Sequence, residues 1–222
     1  MKILDIPQAG KRGLNVSKNS RNGLVSRALV IPTNPRTDAQ LRIRDFLSNV
    51  ASSWRTLSQE ERDAWTAAAK QRQSKPSVGQ SGSLSGFQLY IKINCSLLVI
   101  GHAEVTAPPQ MPSFDTLPVS GLTITNAAGV ITLKLTTTSA PADGTMLRGA
   151  PPCSQGRNCT PDVVYLGTLG SPVGNAVDIS TAYKAKYGSP PVGSKVFVKV
   201  NQNIHGWEDV PRQFSAIVPA GS

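Results

Sequence analysis

The feature that most constrains this chain is a change of hydrophobic period on either side of a proline-rich break. Residues 36–102 place Leu41, Phe46, Val50 and Trp54 at roughly helical spacing, which gives one apolar face. Beyond the segment "TAPPQMPS", runs such as "VITLKLT" and "KVFVKVNQ" alternate apolar and polar residues, the period of half-buried strands. A chain that keeps the two periods in separate segments is predicted to belong to the α+β class.

The same patterns predict four parts along the chain. Residues 1–35 form an extended basic arm or hairpin, 36–102 a three-helix domain, 103–112 a proline-rich linker and 113–222 a β-sandwich domain. Turn signals separate the alternating runs at intervals of about ten to twenty residues, which is typical of an antiparallel sandwich. The stretch "DISTAYKAKYG" predicts one short helix that crosses between the sheets.

The helical segment carries its own start signals. Thr37 with Gln40, and Ser58 with Glu61, have the spacing of capping boxes. The predicted core of the segment consists of seven apolar residues: Phe46, Val50, Trp54, Leu57, Trp65, Phe87 and Tyr90.

Positive charge is concentrated in the N-terminal third. The whole chain has a net charge of +10, and residues 1–75 contribute 14 Lys/Arg against 6 Asp/Glu. Residues 76–222 contribute 9 against 7. This asymmetry predicts contact with nucleic acid, with an acidic protein face or with an anionic surface, although a solvated basic arm would look the same.

The arm mixes these charges with apolar, strand-forming residues around a turn signal at Asn22-Gly23. The predicted basic contacts are Lys11, Arg12, Lys18, Arg21 and Arg27, and the predicted assembly residues are Leu14, Val16, Leu24, Val25, Leu29 and Val30. An isolated hairpin is marginal in water, so the arm docks on its own body, on a neighbouring subunit or on nothing. Such residues suit the addition of a strand to a neighbour's sheet, and a head-to-tail contact of that kind closes a ring or grows a filament.

The sequence contains no strong catalytic signature. It has no Gly-x-Ser-x-Gly, no His-Glu-x-x-His and no P-loop, so no enzyme, cofactor or metal site is expected. The two histidines, His102 and His205, are far apart in sequence, and His205 in "NIHGWED" is interpreted as a bystander in a loop.

The three cysteines predict little chemistry. Cys153 and Cys159 flank "SQGRN", and a disulfide and two free thiols are equally open there. Their spacing does not suit zinc, and Cys95 is interpreted as a buried free thiol in an apolar stretch. No apolar run is long enough to insert into a membrane, and no signal peptide is recognisable, so the chain is expected to be made in the cytoplasm.

Two resemblances bear on function. The pattern from Trp54 through Leu57 and Glu61 to Trp65 resembles the last helix junction of an HMG box, although the upstream segment has room for one helix where that family needs two. The start Pro35, Arg36, Thr37, Gln40 and Arg44, followed by "SGFQLYIKIN" and the alternating runs, resembles uncharacterised bacterial and phage-associated proteins. In those proteins a helical segment precedes an immunoglobulin- or fibronectin-like sandwich, and the resemblance implies a structural role in a particle or surface assembly.

These observations favour a self-assembling structural subunit of a virion or an extracellular filament, in which the arm joins neighbouring copies. Two alternatives stay open. The basic arm and the helical segment favour a nucleic-acid-binding protein. The loops around Cys153–Cys159 and His205–Asp209 favour an adhesive or ligand-binding module, because loops at the end of a sandwich often carry recognition.

Overall fold

The computed structural model describes residues 9–20, 23–31, 33–73, 82–160 and 162–221, and it confirms the α+β class. In these residues four helices accompany several antiparallel sheets. The chain divides into two compact units, Met1–Leu41 and Arg42–Ser222. The predicted boundaries of the four parts stay predictions.

Three helices precede the main sheets, and a fourth lies between two strands. They are α1 (Asp38–Thr56), α2 (Gln59–Lys70), α3 (Gly86–Val99) and α4 (Ser180–Tyr187). In the described part of the chain, no helix is both long and apolar enough to cross a bilayer.

The start of α2 follows directly from the local sequence. Ser58 Oγ accepts a hydrogen bond from the Glu61 backbone N–H at 3.3 Å, and the Ser58 N–H donates to Glu61 Oε2 at 2.8 Å. This is the predicted capping box, and it satisfies donors that the first helical turn otherwise leaves unpaired. The hydrogen bonds from Ser58 lower the pKa of the Glu61 carboxyl. A second capping box, Ser85 with Gln88, starts α3.

The helices pack around aromatic side chains. Of the seven predicted core residues, four are buried: Val50, Leu57, Trp65 and Tyr90. Phe46 and Trp54 are half-buried. Phe87 lies at the rim rather than in the core, because it is the second residue of α3; it is 38% exposed and its ring meets Trp54 edge-on at 5.6 Å.

Two sheets form the β-rich part of the second unit. One has the order β4-β5-β8, and the other has the order β12-β9-β6-β7. Their strands are β4 (Val119–Ala127), β5 (Val130–Thr137), β6 (Met146–Gly149), β7 (Val164–Thr168), β8 (Ala176–Asp178), β9 (Lys195–Asn201) and β12 (Arg212–Ile217). Between β9 and β12 lies a small hairpin of β10 (Asn203–Ile204) and β11 (Trp207–Glu208).

Both sheets contribute side chains to one apolar cluster. Leu133 and Leu135 of β5 lie in it together with Val196 and Val198 of β9. Helix α4 closes one side through Tyr183, whose hydroxyl donates to the Ala150 carbonyl at 2.9 Å. Burial raises the pKa of this tyrosine well above its usual range.

The proline-rich segment after α3 is held by side chains along its length. Asn94 of α3 is fully buried, donates to the Val105 carbonyl at 3.2 Å and accepts from the Val105 N–H at 2.7 Å. Trp65 Nε1 donates to the Thr106 carbonyl at 2.6 Å, and Trp207 Nε1 donates to the Pro109 carbonyl at 3.1 Å. Residues 105–109 are therefore held in place by side chains of α2, α3 and the β10–β11 hairpin.

A polar network connects the helices to the second sheet. Asn203 Nδ2 donates to Ser96 Oγ at 2.9 Å, and Ser96 Oγ donates to Glu208 Oε1 at the same distance. The second Glu208 oxygen pairs with Arg148 of β6 at 3.1 Å. Since Trp207 also lies in the helical core, the helices and the sheets share an interface within the second unit.

Candidate assembly interface

The arm forms a three-stranded antiparallel meander rather than a simple hairpin. Its strands are β1 (Gly10–Arg12), β2 (Asn15–Ser20) and β3 (Gly23–Ala28), in the order β1-β2-β3. The first turn is possible because Gly13 adopts φ +58°, a conformation that glycine reaches without a steric penalty. The register pairs Ser20 with Gly23. The predicted turn residue Asn22 and the predicted basic contact Arg21 lie outside the described residues.

The described part of the arm has no hydrophobic core of its own. None of the side chains described in it, at residues 9–18 and 25–31, is buried. Among the predicted assembly residues, Leu14 is 83% exposed, Val30 76% and Val25 49%, while Val16 and Leu29 are half-buried. The side chain of Leu24 lies outside the described residues. Apolar surface of this extent is costly in water, so it is the strongest sign of a docking surface in the arm.

The cross-strand register separates the arm sheet into two faces. Lys11 pairs with Val16, Val16 with Arg27, and Lys18 with Val25. Because paired residues point to the same side and alternate residues point to opposite sides, these five residues share one side, which we call the basic face. The basic face consists of Lys11, Val16, Lys18, Val25 and Arg27, and four of these line a depression of about 230 Å³. Arg12, which is also a predicted basic contact, pairs with Asn15 and lies on the opposite face.

Strand β3 is an edge of the described arm sheet. Leu29 N donates to the Leu14 carbonyl at 2.6 Å, in the continuation of the β2–β3 register. In an antiparallel pair, hydrogen-bonded and non-hydrogen-bonded positions alternate. The backbone groups of Ser26 and Ala28 therefore point away from β2, where they can pair with a further strand.

Among the described strands of the second unit, β7 is the end strand of the four-stranded sheet. Its five residues include no charge and no proline, two residue types that commonly protect an edge, although a register shift between Gly167 and Tyr165 makes a bulge in its pairing with β6. A groove of about 220 Å³ beside it is lined by Tyr165, Leu166, Ala182, Ala185 and Lys186. The other described edges have different features. Strand β8 has three residues, and β4 and β12 contact each other.

One histidine lies in an exposed pair with a carboxylate, and the other lies in a hairpin turn. His102 Nε2 lies 3.5 Å from Asp143 Oδ2 in an exposed pair. His205 and Gly206 form the two-residue turn between β10 and β11, where both have positive φ. No group of three or more metal-ligating side chains is found in the part of the chain that the structure describes.

The three cysteines are free thiols in the structure, so Cys153 and Cys159 are not joined. The Cys153 backbone pairs with Lys195 on β9, and Cys159 is exposed. Cys95 is half-buried. The pKa of its thiol is raised, mainly by burial and to a smaller extent by the nearby charge of Glu104.

Comparison of the chain with protein-family models, with curated proteins and with solved structures found no match.

Sequence reasoning missed two features of this interface. It did not predict β1, because three residues around a glycine turn carry little periodic signal. It also did not separate the cations by face, although "VSK" and "VSR" place a valine and a cation two residues apart, on the same side of a strand.

Proposed function

We propose that this chain is a structural, self-assembling subunit of a virion or an extracellular filament, joined to neighbouring copies through its N-terminal arm. The observation that carries the proposal is that no described side chain of the arm is buried, and that the apolar residues Leu14, Val30 and Ile31 are each more than three-quarters exposed. Burying an aliphatic side chain of this size is worth about 1.5–3 kcal/mol. Docking on a second molecule would supply that burial.

The joint that best fits these surfaces is strand addition. In it, β3 of one copy pairs through the outward backbone groups of Ser26 and Ala28 with the edge of β7 in the next copy. The two strands have similar lengths, six and five residues, and the groove beside β7 has room for apolar side chains from the added strand.

Such a joint is heterologous, because the donor and acceptor surfaces of a subunit are different. Contacts of this type close into a ring or continue into a filament. This is why we propose a repeating assembly rather than a two-fold dimer.

The finer identity of the β-rich part belongs to the same proposal. We interpret it as a fibronectin- or immunoglobulin-like sandwich. Seven strands in two antiparallel sheets over one apolar cluster support this interpretation, since the two module types share that layout.

A backbone substitution in the arm tests the joint. Ser26→Pro removes one outward N–H and leaves the β2–β3 ladder intact, and Ser26→Ala is the matched control that keeps the N–H. We expect ordered polymers of wild type and Ser26→Ala in negative-stain microscopy and size analysis, and monomers of Ser26→Pro with an unchanged circular dichroism spectrum. Polymers of Ser26→Pro, or a wild type that stays monomeric, would refute the proposal.

A mixing experiment tests the acceptor edge. The Leu169 N–H donates to the Thr145 carbonyl at 2.8 Å, so by the same alternation Thr168 points its N–H outward from β7. Thr168→Pro is therefore expected to abolish assembly, and Thr168→Ala to preserve it. When the two proline variants are mixed, Thr168→Pro still has an intact arm and Ser26→Pro still has an intact β7 edge. The first can therefore dock on the second, but neither has a further functional surface, so we expect a one-to-one dimer that does not grow. A mixture that stays monomeric would exclude β7 as the acceptor.

A further inference from the structure

We infer that the basic face of the arm sheet binds the phosphate backbone of nucleic acid. This function goes beyond the proposed joint, because it uses one face of the sheet while the joint uses the edge of β3. The inference rests on one arrangement: Lys11, Lys18 and Arg27 lie on the same side of three paired strands.

The spacing of these cations suits a linear polyanion. Lys11 and Arg27 flank Val16 in one row across β1, β2 and β3. Neighbouring strands lie about 4.8 Å apart, so the two cations are about 10 Å apart, and Lys18 stands about 6.6 Å further along β2. One nucleic-acid strand carries a charge about every 3.4 Å of helix axis, so three phosphates fall within this span.

The charge of the chain itself argues against a second copy as the partner of this face. Residues 9–31 contain five Lys/Arg and no Asp or Glu. The second unit, residues 42–222, has 16 Lys/Arg against 11 Asp/Glu, a net charge of +5. The second unit therefore offers the basic face no net negative charge, whereas every nucleotide of a nucleic acid carries one.

The composition of the arm also predicts how nucleic acid is recognised. Residues 9–31 contain no Phe, Trp or Tyr on which a base could stack. The contacts available are cations to phosphates and Val16 and Val25 to sugars, which carry no sequence information. Binding is therefore independent of sequence and steeply dependent on salt.

The experiment measures the affinity of the full chain for a fluorescent 20-base-pair duplex of mixed sequence between 50 and 200 mM salt. Three neutralised phosphates predict a slope of log K against log salt of about −2.7. Lys18→Gln and Arg27→Gln are each expected to make the slope shallower by about 1 and to weaken binding roughly tenfold at 50 mM salt. Arg12→Gln, which removes the same charge from the opposite face, is the matched control and should leave the slope unchanged.

Several results would overturn this inference. A wild-type slope near zero excludes phosphate contacts, and an equal effect of Arg12→Gln and Lys18→Gln means that net charge acts without a defined face. Displacement of the duplex by poly-glutamate at equal charge concentration identifies an acidic polypeptide as the preferred partner. Measuring the same duplex with Ser26→Pro and Ser26→Ala separates the two proposals, because loss of assembly with retained binding leaves the basic face intact.

Discussion

At the scale of single residues, Gly206 shows how a turn in the β-rich part is fitted to a helix. It has φ +84° next to His205 at +52°, the two positive values that a type I′ hairpin turn requires. A Cβ at this position would lie 2.7 Å from both the carbonyl oxygen and Cγ2 of Ile93 in α3. Glycine is therefore needed here for two separate reasons, the backbone conformation and the close approach of α3.

These two reasons predict a comparison between glycines. Gly206→Ala is expected to lower the free energy of unfolding by about 2–4 kcal/mol, from left-handed strain plus overlap with Ile93. Gly174→Ala is the control, because Gly174 has φ +64° with nothing within 4 Å of an added Cβ. Gly174→Ala should lower the free energy of unfolding only by the backbone strain, about 1–2 kcal/mol. Urea unfolding of both variants measures the difference, and equal losses would show that the contact with Ile93 relaxes.

At the scale of elements, α4 is fastened to the end of β6 by two tyrosines that make the same kind of bond. Tyr183 donates to the Ala150 carbonyl and Tyr187 to the Gly149 carbonyl, each at 2.9 Å. Tyr183 is fully buried, whereas Tyr187 is half-buried. Because water can replace a lost partner only where it has access, the two bonds differ in worth.

We therefore expect Tyr183→Phe to cost about 1–3 kcal/mol, since the Ala150 carbonyl is then left without this donor in a dry site. Tyr187→Phe should cost about 0.5–1 kcal/mol. Thermal or urea unfolding of the two single variants provides the measurement. A larger loss for Tyr187→Phe would mean that burial does not control the strength of these anchors.

The same scale shows what the sequence could and could not predict. The capping box of Ser58 and Glu61 was predictable, because its two partners are three residues apart and interact within one helical turn. The bond between Ser96 and Asn203 was not, because it joins residues 107 positions apart and neither residue type signals a partner. In the arm, the apolar and basic residues were predictable, but their division into edge and face depends on the register of β1, β2 and β3.

At the scale of the whole molecule, the second unit is expected to unfold as one cooperative body. Trp207 belongs to the helical core although it lies on the β11 hairpin, and Asn203 and Glu208 bond to Ser96 in α3. Disturbing the hairpin therefore removes contacts from the helices and from the sheets together.

Native-state hydrogen exchange tests this cooperativity. The amides of Ile93 in α3 and Leu133 in β5 are expected to exchange with the same free energy of opening. Asn203→Ala should lower both values equally, by about 1–3 kcal/mol, because the Ser96 hydroxyl loses its donor and the Gly206 N–H loses its acceptor. A loss confined to the helices would show that the two parts open independently.

The fixed segment after α3 also has a mechanical consequence. Tension along the chain of the second unit passes from α3 to β4 through residues 105–109, whose carbonyls are gripped by Trp65, Asn94 and Trp207. The ten residues 103–112 span at most about 33 Å when fully extended. They can lengthen towards that span only after these hydrogen bonds and the contacts of the β10–β11 hairpin with α3 have broken. In the filament that we propose, each subunit would resist stretching at low load and would lengthen in discrete steps at higher load.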